Sequence, residues 1–223
     1  MSHLTRRTFL KTSALATATV AFSARSWAQV AGANGDIRVA VVGLNGRGKN
    51  HVSSLKAIKG VRIVALCDPD TAVLGKVKPT VNGGDVKTYV DVRELLASPD
   101  LDAITIATPN HWHSLAGIWA MQAGKDVLLG KPVSHNPWEV PQILAAMKKH
   151  GRIVQVFTQN RSSIAIAEAI AWMNAGNLGK LQLVRGLVYK RRLAIGKLPA
   201  PVAPPKTVNY DFFQGPAPLV PLR

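Results

Sequence analysis

Short apolar runs alternate with segments of helical periodicity through residues 37–173. Each run is nearly all apolar, which is typical of a strand buried on both faces of a sheet. Strands that alternate with helices predict an α/β fold, a doubly wound parallel sheet with helices on both faces. The predicted strands span residues 37–42, 61–67, 103–107, 127–129 and 153–157, and the predicted helices span about 49–59, 91–97, 112–123, 140–147 and 166–173.

The pattern changes after about residue 178. Residues 181–189 predict one more strand, and no helical segment follows it. Four prolines then lie between residues 199 and 205. We expect a second domain to begin in this part of the chain, and the chain to end before that domain could close a core of its own.

The N-terminal segment has the form of an export signal. Residues 5–11 contain two adjacent arginines followed by Phe-Leu and a lysine, as twin-arginine signals do. The apolar stretch at 12–24 is too short to be a stable membrane anchor, and small residues fit a cleavage after Ala28. The sequence predicts a signal peptide over residues 1–28, the twin-arginine export machinery as a partner and a periplasmic or otherwise exported protein. The alternative is a ragged basic N-terminus.

The chain is strongly basic, with 28 Lys and Arg residues against 12 Asp and Glu and a formal net charge of +16. Such a surplus occurs in proteins that bind nucleic acids. Here the basic residues are scattered, the one dense cluster is at 190–192, and no nucleic-acid motif accompanies it. We therefore expect no nucleic-acid partner and a basic surface that is solvated or attracts anionic ligands. The single cysteine, Cys67, excludes an internal disulfide framework.

A glycine-rich turn follows the first predicted strand, with the sequence Gly43-Leu44-Asn45-Gly46-Arg47-Gly48. Glycine is needed where a turn takes positive φ and where backbone approaches a pyrophosphate closely. A helix that begins at such a turn points free N–H groups at the phosphates. The turn predicts a Rossmann-type dinucleotide site, with Gly43, Asn45, Gly46 and Arg47 assigned to cofactor binding. An ordinary glycine turn is the alternative, because the G-x-x-G-x-G spacing departs from the commoner G-x-G-x-x-G.

Asp68 ends the second predicted strand, 20 residues after Gly48. A carboxylate at this place can accept hydrogen bonds from both hydroxyls of the adenosine ribose. A 2′-phosphate would meet Asp68 and the nearby Asp70, so the sequence favours NAD, with NADP as the less favoured cofactor. The alternative for Asp68 is a turn carboxylate in Asp68-Pro69-Asp70.

The loop Thr108-Pro109-Asn110-His111-Trp112-His113 follows a buried strand. Ligands of open α/β sheets bind beyond the carboxyl ends of the strands, where this loop falls. Asn110 and His113 offer hydrogen-bond donors near a nicotinamide ribose, and Pro109 stiffens the turn. The two histidines could suggest a metal, but no Cys or acidic partner lies nearby, so we expect none.

Lys131 precedes a proline after the strand at 127–129. A lysine at a strand's carboxyl end, close to a cationic nicotinamide, could hydrogen-bond a substrate hydroxyl and help to move its proton during hydride transfer. On spacing alone, a surface lysine before a proline is the better interpretation.

Together these motifs resemble the Gfo/Idh/MocA oxidoreductases, a family of sugar and polyol dehydrogenases. The resemblance rests on residues 41–48, on 107–113 and on Lys131-Pro132. The twin-arginine signal and residues 131–136 and 210–216 are similar to the exported bacterial branch of that family. The resemblance covers essentially all of residues 36–218.

The resemblance implies a fold, a cofactor and a site. It implies a Rossmann domain over residues 29–160, followed from 161 to 223 by the start of an α+β substrate domain. It makes Lys131 the candidate catalytic lysine. It implies NAD(P) held by Gly43, Gly46 and Asp68, with Thr108, Pro109, Asn110 and His113 beside the nicotinamide, and with Gln159 and Arg161 lining the cleft.

The sequence departs from the family in two ways. The family usually has Glu-Lys-Pro where this chain has Gly130-Lys131-Pro132, so a carboxylate next to the lysine is lost. Family members also continue well beyond this length, through a large sheet and the Asp and His that complete the acid–base pair. We therefore expect a truncated or frameshifted reading frame, without the catalytic His and with little or no turnover.

Three functions remain open at this point. The first is an exported NAD-dependent oxidoreductase of a sugar or polyol, represented by an incomplete chain, with self-association of a full-length chain left open. The second is a related NAD-dependent glycosidase that oxidises, eliminates and re-reduces its substrate. The third is a nucleotide-binding fragment without turnover.

Overall fold

The computed structural model describes residues 35–222, apart from residues 192, 195 and 197. Six parallel strands form one sheet in the order β3-β2-β1-β4-β5-β6. The predicted doubly wound parallel sheet is therefore confirmed, and the predicted signal segment lies outside the described residues. The strands are β1 Ile37–Val42, β2 Val61–Cys67, β3 Lys87–Tyr89, β4 Ala103–Ile106, β5 Asp126–Leu129 and β6 Val154–Val156.

Helices cover both faces of this sheet and agree with the predicted ones to within a few residues. One apolar core lies between the sheet and the helices that follow β1 and β2, and a second lies on the opposite face. The sequence did not predict α2, which Asp70 caps by accepting a hydrogen bond from Ala72 N, nor α7. The helices are α1 Arg47–Lys56, α2 Thr71–Val77, α3 Val92–Leu96, α4 His113–Gln122, α5 Glu139–His150, α6 Ile164–Asn174 and α7 Tyr210–Gln214.

Strand β1 pairs with β2 on one side and with β4 on the other. The chain therefore leaves β1 toward one edge of the sheet and β4 toward the other, which opens a crevice beyond their carboxyl ends. Two hydrogen bonds fix the loops on either side of the crevice, from Gly43 N to Cys67 O and from Ala107 N to Val42 O, both at 2.8 Å.

The strand predicted at residues 181–189 is wrong. The described chain has no strand there, and the apolar side chains are exposed, with Val188 at 87% and Tyr189 at 89%. A strand needs a neighbour to pair its N–H and C=O groups, and none of the described residues pairs with this segment. β-Branched composition alone therefore gave a misleading prediction.

Residues 202–222, called the C-terminal segment below, lie in the part predicted to begin a second domain and contact the loops that follow β2 and β4. The Asn209 N–H donates to Pro69 O, and the Thr71 N–H donates to Thr207 O, both at 2.9 Å. Trp112 Nε1 donates to Phe212 O, also at 2.9 Å. The segment thereby spans the loops that follow β2 and β4.

No helix among the described residues is long and apolar enough to cross a bilayer.

Candidate functional site

The crevice at the carboxyl end of β1 contains two cavities, one of about 550 Å³ and one of about 250 Å³. The larger cavity lies between the glycine-rich turn, the end of β2 and the C-terminal segment. The smaller cavity lies between the start of α1 and the loops after β4, β5 and β6. Ala107 and Thr108 line both, so the two cavities meet at the loop after β4.

Gly43 fills a place in the glycine-rich turn that a larger residue could not take. Its φ is +84°, and a Cβ there would lie 2.7 Å from Thr108 N and 2.8 Å from the Ala107 carbonyl carbon. Gly48 is equally confined, because its Cβ would overlap the Gly43 carbonyl oxygen. Gly46 differs from both, since a Cβ there would have no heavy atom within 4 Å. Two glycines of the turn are thus required by packing, and Gly46 faces open space.

Helix α1 begins at this turn, and no side chain among the described residues caps its first N–H groups. Gly46 is its N-cap and supplies no side-chain hydrogen bond, and no acidic residue lies in the first turn. An uncapped helix start leaves unsatisfied N–H groups and the positive end of the helix dipole facing the crevice. This is the arrangement that binds phosphates in other α/β proteins.

Asp68 connects the end of β2 to the glycine-rich turn. Its side chain is 6% exposed, and its carboxylate accepts hydrogen bonds from Leu44 N at 2.7 Å and from Asp70 N at 3.0 Å. Burial raises the pKa of Asp68, and these two backbone hydrogen bonds partly offset that effect. Each carboxylate oxygen can accept a further hydrogen bond. Asp68 lines the larger cavity, so a ligand there can use that remaining capacity.

The C-terminal segment supplies one wall of the larger cavity, with Val208, Tyr210 and Phe212 among the lining residues. The Arg93 guanidinium lies 5.3 Å from the centre of the Phe212 ring and pairs with Asp91 at 2.7 Å. Sequence reasoning missed this wall. No local pattern could reveal it, because its contacts join residues 100 and 102 positions apart along the chain.

The smaller cavity brings together residues from four separate loops. The Arg47 guanidinium lies 5.6 Å from the centre of the Phe157 ring. With its amide oriented to satisfy both partners, Gln159 donates to Phe157 O at 3.1 Å and accepts from Arg47 Nη2 at 3.2 Å. The predicted cofactor residues Arg47 and Gln159 are therefore in contact, although 112 residues separate them in sequence.

His113 connects two of these loops. Its Nδ1 lies 2.6 Å from Pro132 O and its Nε2 lies 3.0 Å from Thr108 O. The ring is 1% exposed and forms part of the cavity wall. Both ring nitrogens face backbone carbonyl oxygens, and a neutral imidazole can donate to only one of them. His113 therefore packs between the Thr108 loop and the Lys131 loop.

Lys131 is exposed and lines the smaller cavity, directly after Gly130. A Cβ at Gly130 would lie 2.8 Å from Ile106 O and 2.9 Å from the Nε2 of His113. Gly130 is therefore required by packing, because the His113 ring occupies the space that a side chain at position 130 would need.

Replacing Gly130 with alanine is expected to lower the free energy of unfolding by about 1–3 kcal/mol, because the new methyl group would push on backbone and on the His113 ring. Gly117→Ala is the matched control. Its Cβ would meet only side-chain atoms, at 3.7 and 3.9 Å, so little loss of stability is expected. Chemical denaturation of both variants measures the difference. Equal stabilities would contradict the steric account of Gly130.

The predicted site residues fall into three groups. Gly43, Asn45, Gly46, Asp68, Thr108 and Pro109 line the larger cavity. Arg47, Thr108, His113, Lys131 and Gln159 line the smaller one. Asn110 begins a short helical turn before α4, is exposed, and lines neither cavity; Arg161 is also exposed and lines neither.

Sequence reasoning also missed His51 in the smaller cavity. It is 5% exposed, and its Nδ1 lies 2.7 Å from Thr105 Oγ1 on β4. A lone histidine on a helix gives no sequence signal of a site. Among the described residues, no group of three or more His, Cys, Asp or Glu side chains could hold a metal ion.

Comparison with known proteins matches two parts of the chain to families. Residues 37–158 match the GFO_IDH_MocA model, described as an oxidoreductase family with an NAD-binding Rossmann fold. Residues 3–23 match the twin-arginine translocation signal sequence, which confirms the predicted export signal. The chain therefore carries a signal sequence for export by the twin-arginine route.

Individual relatives agree with the family match. The chain is 30% identical over 150 residues to inositol 2-dehydrogenase 1 of Saccharopolyspora erythraea, covering 66% of this chain and 44% of that one. It is 34% identical over 158 residues to glycosyl hydrolase family 109 protein 2 of Shewanella sp. strain ANA-3, covering 60% and 35%. It superposes with a TM-score of 0.60 and 29% identity on myo-inositol 2-dehydrogenase from Lactobacillus plantarum, covering 65% and 43%. The chain thus spans less than half the length of the relatives it matches.

Proposed function

This chain belongs to the Gfo/Idh/MocA oxidoreductase family and carries its NAD-binding Rossmann fold, and on that basis we propose that NAD binds along the crevice with its adenosine half in the larger cavity. The nicotinamide half then occupies the smaller cavity. The observation that carries this proposal is the uncapped start of α1, which lies at the glycine-rich turn between the two cavities. A pyrophosphate placed there accepts hydrogen bonds from the uncapped N–H groups of the helix.

The residues present fit such a cofactor. Asp68 lines the larger cavity and has unused acceptor capacity for the two ribose hydroxyls. No side chain blocks the turn, since Gly46 faces open space. The negative charge of Asp68 and of the nearby Asp70 disfavours a 2′-phosphate, so we propose NAD rather than NADP as the cofactor.

For the whole protein we propose hydride transfer between NAD and a carbon that bears a hydroxyl group of a sugar or polyol. The bound nicotinamide supplies the redox chemistry. Lys131 lines the smaller cavity and is exposed, so its amino group can hydrogen-bond a substrate hydroxyl and, in its neutral form, accept the proton that the hydroxyl loses. His113 holds the loop of Lys131 against the loop of Thr108. The similarity to the two inositol dehydrogenases supports a polyol as substrate.

The similarity to glycosyl hydrolase family 109 protein 2 supports a second candidate, an NAD-dependent glycosidase. A glycosidase that oxidises and then re-reduces its substrate releases the leaving group without net NADH. A dehydrogenase instead accumulates NADH. Parallel assays on a polyol panel, followed at the NADH absorbance, and on nitrophenyl glycosides, followed by nitrophenol release, separate the two.

The cofactor proposal is tested on this chain by titrating it with NADH and with NADPH while following tryptophan fluorescence. Trp112 lines the larger cavity, so binding there is expected to change its emission. We expect saturable binding of NADH and at least tenfold weaker binding of NADPH. No saturable change with either dinucleotide, confirmed by calorimetry, would contradict the proposal.

The wall formed by the C-terminal segment gives a further expectation. Phe212→Ala is expected to weaken NADH binding by about 3- to 10-fold, because the variant loses the apolar and aromatic surface that the ring offers to the larger cavity. Tyr189→Ala is the control, since Tyr189 is 89% exposed and lines neither cavity. Calorimetric titration measures both. Unchanged affinity in Phe212→Ala would remove the segment from the proposed site.

A further inference from the structure

Two buried polar atoms at the smaller cavity have no hydrogen-bond partner among the described residues, His51 Nε2 and Thr108 Oγ1. Both residues line that cavity. A buried polar atom without a partner costs about 1–3 kcal/mol, so native proteins rarely leave one unpaired without a functional reason. Two of them at one cavity point to a ligand that satisfies both.

The His51 ring is held in a fixed orientation. Its Nδ1 lies 2.7 Å from Thr105 Oγ1, and the Phe157 ring lies 5.0 Å away, centre to centre, on another side. Burial, and secondarily the charge of Arg47, lowers the pKa of His51, which favours the neutral form of the ring. A neutral imidazole carries one N–H, on either Nδ1 or Nε2.

Thr105 selects which nitrogen carries that hydrogen. Among the described residues, His51 Nδ1 is the one hydrogen-bond partner of the buried Thr105 hydroxyl. The hydroxyl satisfies its own hydrogen by donating to Nδ1, which leaves the ring hydrogen on Nε2. His51 therefore offers an N–H donor to the cavity, and the Thr108 hydroxyl beside the same cavity can accept a hydrogen bond.

A donor and an acceptor at one cavity suit a primary carboxamide, which has a carbonyl oxygen and an NH₂ group. The other polar groups of the cavity are engaged or charged. Arg47 contacts Phe157 and Gln159, both nitrogens of His113 face carbonyl oxygens, and Lys131 is exposed. An anionic ligand group would be drawn to Arg47 and Lys131, which leaves the neutral pair of His51 and Thr108 for a neutral group.

We propose that His51, oriented by Thr105, donates a hydrogen bond to the carboxamide oxygen of the nicotinamide ring, and that Thr108 Oγ1 accepts one from the carboxamide NH₂. His51 is a cofactor-binding residue in this arrangement, and Thr105 is a positioning residue that acts through it. The inference rests on the proposed function, because it assumes that the nicotinamide half of NAD occupies the smaller cavity. It adds the residues that recognise the carboxamide.

ADP-ribose provides the decisive comparison, because it keeps the adenosine and pyrophosphate of NAD and lacks the nicotinamide. His51→Leu is expected to weaken NAD binding by about 5- to 20-fold and to leave ADP-ribose binding within twofold, as measured by calorimetry. Misfolding would lower the active fraction for both ligands equally, so the ratio of the two affinities is insensitive to it. His150→Leu, at the end of α5, is the matched control and is expected to change neither affinity.

Two further variants test the roles of the hydrogen and of Thr105. His51→Gln keeps an N–H donor and is expected to recover part of the NAD affinity that His51→Leu loses. Thr105→Val keeps the shape of the side chain but frees the choice of tautomer, so NAD binding is expected to weaken by about threefold with ADP-ribose unchanged. Thr108→Val is expected to weaken the binding of NAD and to leave the binding of 3-acetylpyridine adenine dinucleotide unchanged, because that analogue lacks the NH₂ group that Thr108 Oγ1 would accept from. Equal losses for the two dinucleotides would contradict the role of Thr108.

The outcomes separate this inference from the function on which it rests. If the unaltered chain binds both ligands and His51→Leu weakens both equally or neither, the carboxamide role is wrong while the NAD site stands. If the unaltered chain binds neither ligand, the NAD site itself is wrong, and the inference falls with it. Should His51→Leu fail to fold, the ratio of affinities in Thr105→Val and His51→Gln decides the same question.

Discussion

Replacing Asp68 with alanine is expected to weaken NAD binding by about 10- to 100-fold and NADP binding by much less. In the proposed complex the carboxylate accepts hydrogen bonds from both ribose hydroxyls, and hydrogen bonds to a charged group contribute about 1.5–3 kcal/mol. NADP replaces one of those hydroxyls with a phosphate that the carboxylate repels, so it has less to lose. Calorimetric titration with each cofactor measures the two affinities.

Controls are needed because Asp68 also accepts hydrogen bonds from Leu44 N and Asp70 N. Asp68→Asn keeps the shape and an acceptor oxygen, so it should retain more stability than Asp68→Ala while it still loses the charge. Asp85→Ala, at an exposed position outside both cavities, is expected to change neither cofactor's affinity. An equal loss for NAD and NADP in Asp68→Ala would count against the ribose role.

Gly43→Ala is expected to lower the free energy of unfolding by about 2–4 kcal/mol and to abolish measurable NAD binding. The alanine would have to adopt a φ of +84° with its Cβ 2.7 Å from the backbone of Thr108. The turn cannot keep its shape under that contact, and the N–H groups it presents to the pyrophosphate would be misplaced. Chemical denaturation and calorimetry measure the two effects.

Gly46→Ala separates the effect on NAD binding from the effect on stability. A Cβ at position 46 meets no heavy atom within 4 Å, so the free energy of unfolding should change little. The same Cβ would stand where the proposed pyrophosphate approaches the backbone, so NAD affinity should still fall. Loss of affinity without loss of stability in Gly46→Ala supports a phosphate site at the turn. Unchanged affinity there, with Gly43→Ala merely unstable, would reduce the turn to a structural feature.

The sequence predicted most of the sheet because most of its strands are short, mostly apolar runs that can be recognised without knowledge of distant residues. Residues 37–42 and 61–67 are apolar except for one arginine in each, and the structure has strands at both. Strand β3 has the sequence Lys-Thr-Tyr and spans three residues, so no hydrophobic pattern marks it. The segment 181–189 failed for the opposite reason, since it has strand-like composition without a neighbour to pair with among the described residues.

The candidate site was predicted as far as motifs at strand ends could reach. Asp68 and Thr108 follow buried strands, and parallel strands bring their carboxyl ends to one edge of the sheet. His51 and Phe212 carry no such marker, because their roles depend on contacts with Thr105 and Trp112 that only the folded chain creates. The steric reason for Gly130 was equally out of reach, since it depends on where the His113 ring lies.

A crystal structure of this chain in complex with NAD tests most directly whether the dinucleotide binds along the crevice. It is expected to show the pyrophosphate bound to the N–H groups at the start of α1, the adenosine ribose hydrogen-bonded to Asp68 and the nicotinamide in the smaller cavity. An empty crevice at saturating cofactor, or a dinucleotide bound with Asp68 turned away from it, would contradict the account.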